Sequence, residues 1–199
     1  MKKRILYFIV FLVIGSTIVY LVKDSLKGEA HDAEGLDSYV LREFRYDFPF
    51  KLNSEGVRLD LSNLTLVNKK NQLLPIDSIV HSVPILVFRI TPTSCSICVN
   101  REIGNINQLV GKVDKNKIVI LTAYDNVRDY FIFLQYTQTE FPIYNIEQLD
   151  IIAEEAGNAY LFVLNHEHQV LNLFFPSKHD NTFSEIYYQE ILPQLGTSL

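Results

Sequence analysis

The sequence predicts an α/β sandwich. It would have a mixed central sheet with helices on both faces and an N-terminal β extension, preceded by one transmembrane helix. Three observations lead there. Apolar runs at Ile85–Ile90, within Lys117–Ala123 and at Tyr160–Leu164 have the length of strands covered on both faces. Stretches with helical apolar spacing follow the first two runs, and the order strand–helix–strand–helix, hairpin, closing helix suits a mixed sheet. An uncharged segment of 18 residues, Ile5–Val22, stands behind Met1–Arg4, which holds Lys2, Lys3 and Arg4.

That opening segment bears on compartment. As a helix it would reach roughly 27 Å, close to the ~30 Å hydrocarbon core of a bilayer. The basic tail, residues 1–4, would stay in the cytoplasm, with 5–22 as a signal anchor and the rest on the far side. The alternative is a cleaved signal peptide, for which Gly28-Glu29-Ala30 offers small residues. The apolar run exceeds the usual ~7–15 residue signal core, and Lys23, Asp24 and Lys27 precede the cut, so the anchor is favoured. Residues 23–38 are polar, with Gly28 and Gly35, and read as a linker. The remainder, 39–199, reads as the folded domain.

Over 199 residues, 48% hydrophobic and 21% charged, the composition is that of a globular chain and excludes wholesale disorder. All 23 acidic residues lie beyond residue 22, against 15 of the 18 Lys and Arg. The part outside the proposed anchor therefore carries −8. A surface that acidic repels phosphate backbones, so nucleic acid is not an expected partner.

Within the domain, Phe44, Tyr46, Phe48, Phe50 and Leu52 alternate with other residues as in a half-buried strand, which could also serve as a binding edge. Asn53–Gly56 signals a turn. Val57, Leu59 and Leu61 alternate again, and Leu64–Val67 is a further short strand, so 39–80 reads as the β extension. Val99, Ile103, Ile106 and Val110 share one helical face that ends at Gly111. Asp125 or Asn126 can cap a helix with Val127, Tyr130, Phe131 and Leu134 inward. Phe141–Ile146 reads as extended and Ile151–Ala156 as a brief helix. A turn at Asn165–His168 separates Tyr160–Leu164 from Val170–Phe175. A last helix, about Thr182–Leu192, would turn Phe183, Ile186, Tyr187 and Ile191 inward.

The two cysteines, Cys95 and Cys98, stand where a buried strand gives way to a helix. Free N–H groups and the positive end of the helix dipole at such a junction favour thiolate over thiol. Thiolate is the form that attacks disulfides, and a cysteine one turn along can displace the bound partner. Other readings are a structural staple, half a zinc site or two unused thiols. A loop this short constrains little chain entropy, and no second Cys-x-x-Cys completes a zinc site. An extracytoplasmic location would let a disulfide persist.

The run Leu86–Cys98, with the elements around it, resembles the thioredoxin-like superfamily. Leu64–Val80 is similar to the extension in its alkyl-hydroperoxide-reductase/thiol-specific-antioxidant branch and in membrane-anchored members of the bacterial envelope. The resemblance spans roughly Leu64–Leu192. It implies thiol–disulfide exchange, with Cys95 attacking and Cys98 resolving a redox disulfide. It also implies a single-pass protein of the bacterial cytoplasmic (inner) membrane with an extracytoplasmic, periplasmic domain. Partners would be the thiols and disulfides of envelope proteins and a membrane or soluble redox partner, with no cofactor and no metal. Three positions depart from the family pattern. Ala159 stands where a cis-proline usually precedes the facing strand, Arg89 stands where a buried carboxylate often lies, and Ser94 replaces an aromatic residue. Arg89 either favours thiolate at the pair or points away to join an acid. Glu102, one turn beyond Cys98, reads as a solvated position or a modulator.

Peroxidase chemistry is not expected, because Pro92 occupies the place of the threonine that precedes a peroxidatic cysteine by three residues. His166-Glu167-His168 reads as a polar turn, about 20 Å of strand away from the cysteines. His31, His81 and His179 have no partners in the sequence. The alternative to the enzyme is a redox-inert module of the same fold that binds a partner and keeps a passive cysteine pair.

Overall fold

A run of six fully buried residues, Ile85–Ile90 (β3), forms the spine of the molecule. Alternation along β3 sends Leu86, Phe88 and Ile90 to one apolar cluster and Ile85 and Val87 to the other, so a single strand serves both cores. The structure is a computed structural model that describes residues 39, 41–62, 64–80 and 84–196. The chain divides into two units, Met1–Arg42 and Glu43–Leu199, and the described elements lie almost wholly in the second. No helix among the described residues is long and apolar enough to cross a membrane; the proposed anchor at 5–22 lies outside them, as do the tail at 1–4 and the linker at 23–38.

The larger unit opens on helical residues 43–54 (α1). Then come β1 (Thr65–Val67), β2 (Leu73–Pro75), β3, α2 (Ser96–Asn107), β4 (Ile118–Thr122), α3 (Val127–Tyr136), β5 (Ile143–Asn145), β6 (Tyr160–Leu164), β7 (Val170–Phe174) and α4 (Thr182–Ile191). The seven strands make one sheet in the order β2-β1-β5-β4-β3-β6-β7. β3, β4 and β5 run parallel, while β6, β7 and the β1–β2 hairpin complete it antiparallel. The sheet is mixed, as the apolar runs predict.

Two expectations change and one is refined. The stretch Phe44–Leu52 is helical, so the first part of 39–80 is not a β extension; its strands are β1 and β2 alone. The partly or fully buried positions there are Glu43, Asp47, Phe50 and Ser54, a helical spacing. Second, helices lie on both faces as expected, but unevenly, with α1 opposite the other three. Residues of α2, α3 and α4 all pack into the cluster around Leu86 and Phe88. Two successive right-handed crossovers in one direction, β3–α2–β4 and β4–α3–β5, put both helices on one side. The other face is covered by Leu59, Leu61, the turns Ile76–Ser78 and Ile152–Ala156, and Phe50 of α1. Third, α4 turns Ser184, Tyr188 and Ile191 inward, leaving Phe183 and Ile186 exposed, and Val127 of α3 is exposed too.

Arg89 accounts for much of the second core's order. β3 pairs with both β4 and β6, so its guanidinium stands in the middle of the sheet and is 0% exposed. Glu154 takes it in a fork, Nε to Oε1 at 2.7 Å and Nη2 to Oε2 at 2.8 Å. Nη1 donates to the Thr122 and Ile146 carbonyls at 3.0 Å, and Nη2 to Glu147 O at 3.2 Å. The Tyr160 hydroxyl donates to Glu154 Oε1 at 2.5 Å. All five N–H donors of a guanidinium are thus used. Removing one partner from such a pair strands the other charge, at about 3–5 kcal/mol. Arg89→Met should lower the unfolding free energy in urea by about that amount, and Arg89→Met/Glu154→Gln should recover part of it. A loss below about 1 kcal/mol for the single variant would show that the pair is not the clasp described.

Candidate active site

The chain leaves β3 through a tight turn. Ser94 N donates to Thr91 O at 3.1 Å, and Thr91 N donates to Ser94 Oγ at 3.0 Å. Ser94 therefore braces the turn in place of the aromatic residue of the family pattern. Cys95 is extended, at φ −61° and ψ 119°, as the N-cap of α2, and its carbonyl accepts the first helical bond from Val99 N at 3.0 Å. Both cysteines are free thiols, Cys95 partly exposed and Cys98 buried.

The two sulfurs sit in opposite electrostatic settings. Cys95 makes no cap hydrogen bond to the helix, but the Cys98 thiol approaches its sulfur, with the Cys98 and Ile97 N–H groups behind it. These positive ends pull the Cys95 pKa below that of an ordinary thiol, and Lys178 adds to the effect. Burial pushes Cys98 up to about 11, helped by the Cys95 sulfur beside it, while Arg101 and Lys178 act against the rise.

The cations acting on the pair are thus Lys178 and Arg101, neither of which the sequence pattern singles out. Arg101, on α2, donates to the carbonyls of Ser177 and Lys178, which ties the 177–178 loop to the cysteine helix. Arg89 is elsewhere. It follows Phe88 on the sheet face opposite α2 and is fully paired with Glu154, so of its two expected roles the ion pair holds. Its head does not leave the sheet, because carbonyls and a carboxylate meet it inside.

Glu102 also differs from expectation. It is buried between α2 and α4, not solvated. It accepts from Tyr188 Oη at 2.5 Å, Ser184 Oγ at 3.0 Å and Asn105 Nδ2 at 3.4 Å. Burial raises its pKa despite these donors. This carboxyl explains the inner face of α4, since Ser184 and Tyr188 must face inward to satisfy it.

Ala159 does lie beside the site. Arg89 pairs with Tyr160 across β3 and β6, so Ala159 precedes the strand that faces the cysteine turn. It is buried in the cluster that contains Val99. The loop before it is bolted to that turn: Thr93 Oγ1 donates to Gly157 O at 2.7 Å. Gly157 has φ +67°, and a Cβ there would stand 2.8 Å from Thr93 Oγ1, so a side chain is excluded on both counts. The His166–His168 turn is at the other end of β6, with His168 at φ 60°. Among the described residues no group of three His, Cys, Asp or Glu side chains could hold a metal ion.

No protein-family model and no curated protein matches the sequence. Solved structures do match. A Chlorobium tepidum protein assigned as DsbE, a thiol:disulfide interchange protein, superposes with a TM-score of 0.53 at 17% identity, over 71% of this chain and 100% of that one. A thio-disulfide isomerase from Thermus thermophilus gives 0.46 at 17%, over 73% and 98%. A thioredoxin-like protein from Porphyromonas gingivalis gives 0.49 at 13%, over 71% and 97%. The fold is thioredoxin-like, as the run around the cysteines suggests.

If the Cys98 thiol is the main support of the Cys95 thiolate, deleting it will show. In Cys98→Ala the thiolate absorbance of Cys95 should titrate nearer the free-cysteine value of ~8.5 than it does in the intact chain, with less thiolate at neutral pH. An unchanged midpoint would assign the depression to the backbone and Lys178 instead.

Proposed function

We propose that the chain is an extracytoplasmic thiol–disulfide oxidoreductase, anchored by residues 5–22 in the bacterial cytoplasmic membrane and acting on envelope proteins through Cys95 and Cys98. The observation that carries this reading is the split between the two thiols. Cys95 is partly exposed with a lowered pKa, and Cys98 is buried, adjacent and raised. A passive pair has no need of that asymmetry. The thioredoxin-like fold supports the reading, because it places the pair at a strand-to-helix junction open to a partner.

In the reducing direction the Cys95 thiolate attacks one sulfur of a substrate disulfide. An S–S bond forms to Cys95, the substrate S–S bond breaks, and the departing sulfur takes a proton from solvent. Cys98 then loses its proton and attacks the Cys95 sulfur. The second substrate sulfur leaves as thiolate and the Cys95–Cys98 disulfide remains, so two electrons have passed to the substrate. The high pKa of Cys98 suits the order of events. Two of its causes are the hydrogen bond and the charge of the Cys95 sulfur, and both vanish once that sulfur is in a mixed disulfide. Arg101 and Lys178 then favour the Cys98 thiolate at the moment it is needed. An envelope redox partner resets the pair, and the same steps reversed oxidise a dithiol.

Trapping tests the assignment. Cys98→Ser, expressed in its own envelope, should accumulate covalent adducts that reductant removes, and Cys95→Ser should accumulate few. If neither variant traps a partner, the enzyme reading fails and a partner-binding module with idle cysteines takes its place.

A further inference from the structure

Helix α1, which the alternation of apolar residues did not foretell, has one face with no partner among the described residues. Glu43, Asp47, Phe50 and Ser54 make up the inner face of α1. Glu43 accepts from Ser177 Oγ at 2.6 Å and Lys178 N at 3.2 Å, and Asp47 accepts from Asn158 Nδ2 at 3.3 Å. Tyr46 Oη donates to Ala156 O at 3.4 Å, and Ser54 Oγ accepts from Ala153 N at 2.9 Å. The helix is thereby fastened to both loops that flank the cysteines, 156–158 and 177–178. Its other side carries Phe44, Phe48 and Leu52, spaced four apart and 45–64% exposed, with the Phe44 and Phe48 rings 5.2 Å apart. Arg45 and Lys51 are exposed beside them.

Charge selects what can cover this stripe. Within 43–54 the two carboxylates, Glu43 and Asp47, are drawn inward by hydrogen bonds, so the outward side is aromatic, aliphatic and cationic. That is an exception on a polypeptide carrying −8 beyond residue 22. Aromatic rings with Arg and Lys on a helix suit the headgroup level of an anionic bilayer. The length of chain agrees. Sixteen residues, 23–38, separate the apolar run 5–22 from residue 39, a tether of no more than roughly 55 Å when fully extended.

We propose that the Phe44–Phe48–Leu52 stripe of α1 seats in the interface of an anionic lipid bilayer and holds the cysteine end of the domain close to the membrane surface. The proposal rests on the anchor reading of residues 5–22. The favoured substrates are then disulfides and dithiols presented near the bilayer, not those of freely diffusing proteins.

The chain has no tryptophan, so one introduced indole reports alone. Full-length Phe48→Trp and the control Tyr136→Trp, the latter at an 84% exposed position of α3, would be reconstituted into vesicles of phosphatidylcholine and phosphatidylglycerol with acyl-brominated lipid. The proposal expects blue-shifted emission from Phe48→Trp and quenching several-fold stronger than in the control. Adding Arg45→Glu and Lys51→Glu should largely abolish both. An alkaline wash reads the anchor separately. A chain retained in the vesicles without quenching at Phe48→Trp overturns the interfacial helix alone. A chain that washes off after being quenched overturns the anchor and leaves the helix contact standing. A blue shift without bromine quenching means that protein, such as a second copy, covers the stripe, and the lipid proposal fails.

Discussion

A single buried cation organises the end of the sheet where the cysteines emerge. Arg89 sits one residue before the end of β3, and its five donors reach the carbonyl end of β4 and the segment after β5, together with Glu154 in the turn before β6. Glu154 is also gripped by Tyr160, the first residue of β6. The turn so held runs directly into Gly157 and Ala159, and Gly157 accepts from Thr93 in the loop that delivers Cys95. A charge inside the sheet thus positions the rim of the site without touching either sulfur. A low-dielectric interior makes such a network rigid when complete and costly when broken.

The chemistry of the site rests on a different set of contacts, on the opposite face of β3. Cys95 gains its thiolate character from the Cys98 thiol and the first N–H groups of α2, and the 177–178 loop supplies a cation. That loop is secured twice, by Arg101 from below and by Glu43 of α1 from outside. A helix near the N-terminus is therefore linked to a cysteine pair roughly fifty residues later in the chain. Burying Glu102 against Tyr188 and Ser184 locks α2 to α4 and keeps the cysteine helix from shifting.

How much of this was legible in the sequence depended on whether local pattern or distant partners decided a residue's place. Buried strands announce themselves, because Ile85–Ile90 and Tyr160–Leu164 are covered on both faces and apolar at every position but Arg89, and the two cysteines follow the first run after a four-residue turn. The 44–52 stretch misled because its even positions are all apolar while Pro49 argues against a helix; the inward spacing at 43, 47, 50 and 54 is carried mostly by polar residues. Their reason to face inward lies in the distant loops at 153–158 and 177–178. The inward side of α4 was likewise set by Glu102, whose burial no neighbour in sequence reveals. Lys178 and Arg101 could have been noticed only by knowing that the loop after β7 folds over α2. Arg89 stands out in an apolar run, but its acid partner is 65 residues away.

The central claim is that Cys95 and Cys98 form a working redox couple, not a staple or an idle pair. The most direct test is the reduction potential of the full-length protein equilibrated with glutathione buffers. A lowered Cys95 pKa beside a buried resolving thiol suits exchange in either direction, so the pair should be a reversible two-electron couple within the span from thioredoxin, ~−270 mV, to DsbA, ~−120 mV. A potential below about −300 mV, as structural disulfides have, or thiols that never form a disulfide in oxidised glutathione, would contradict the account.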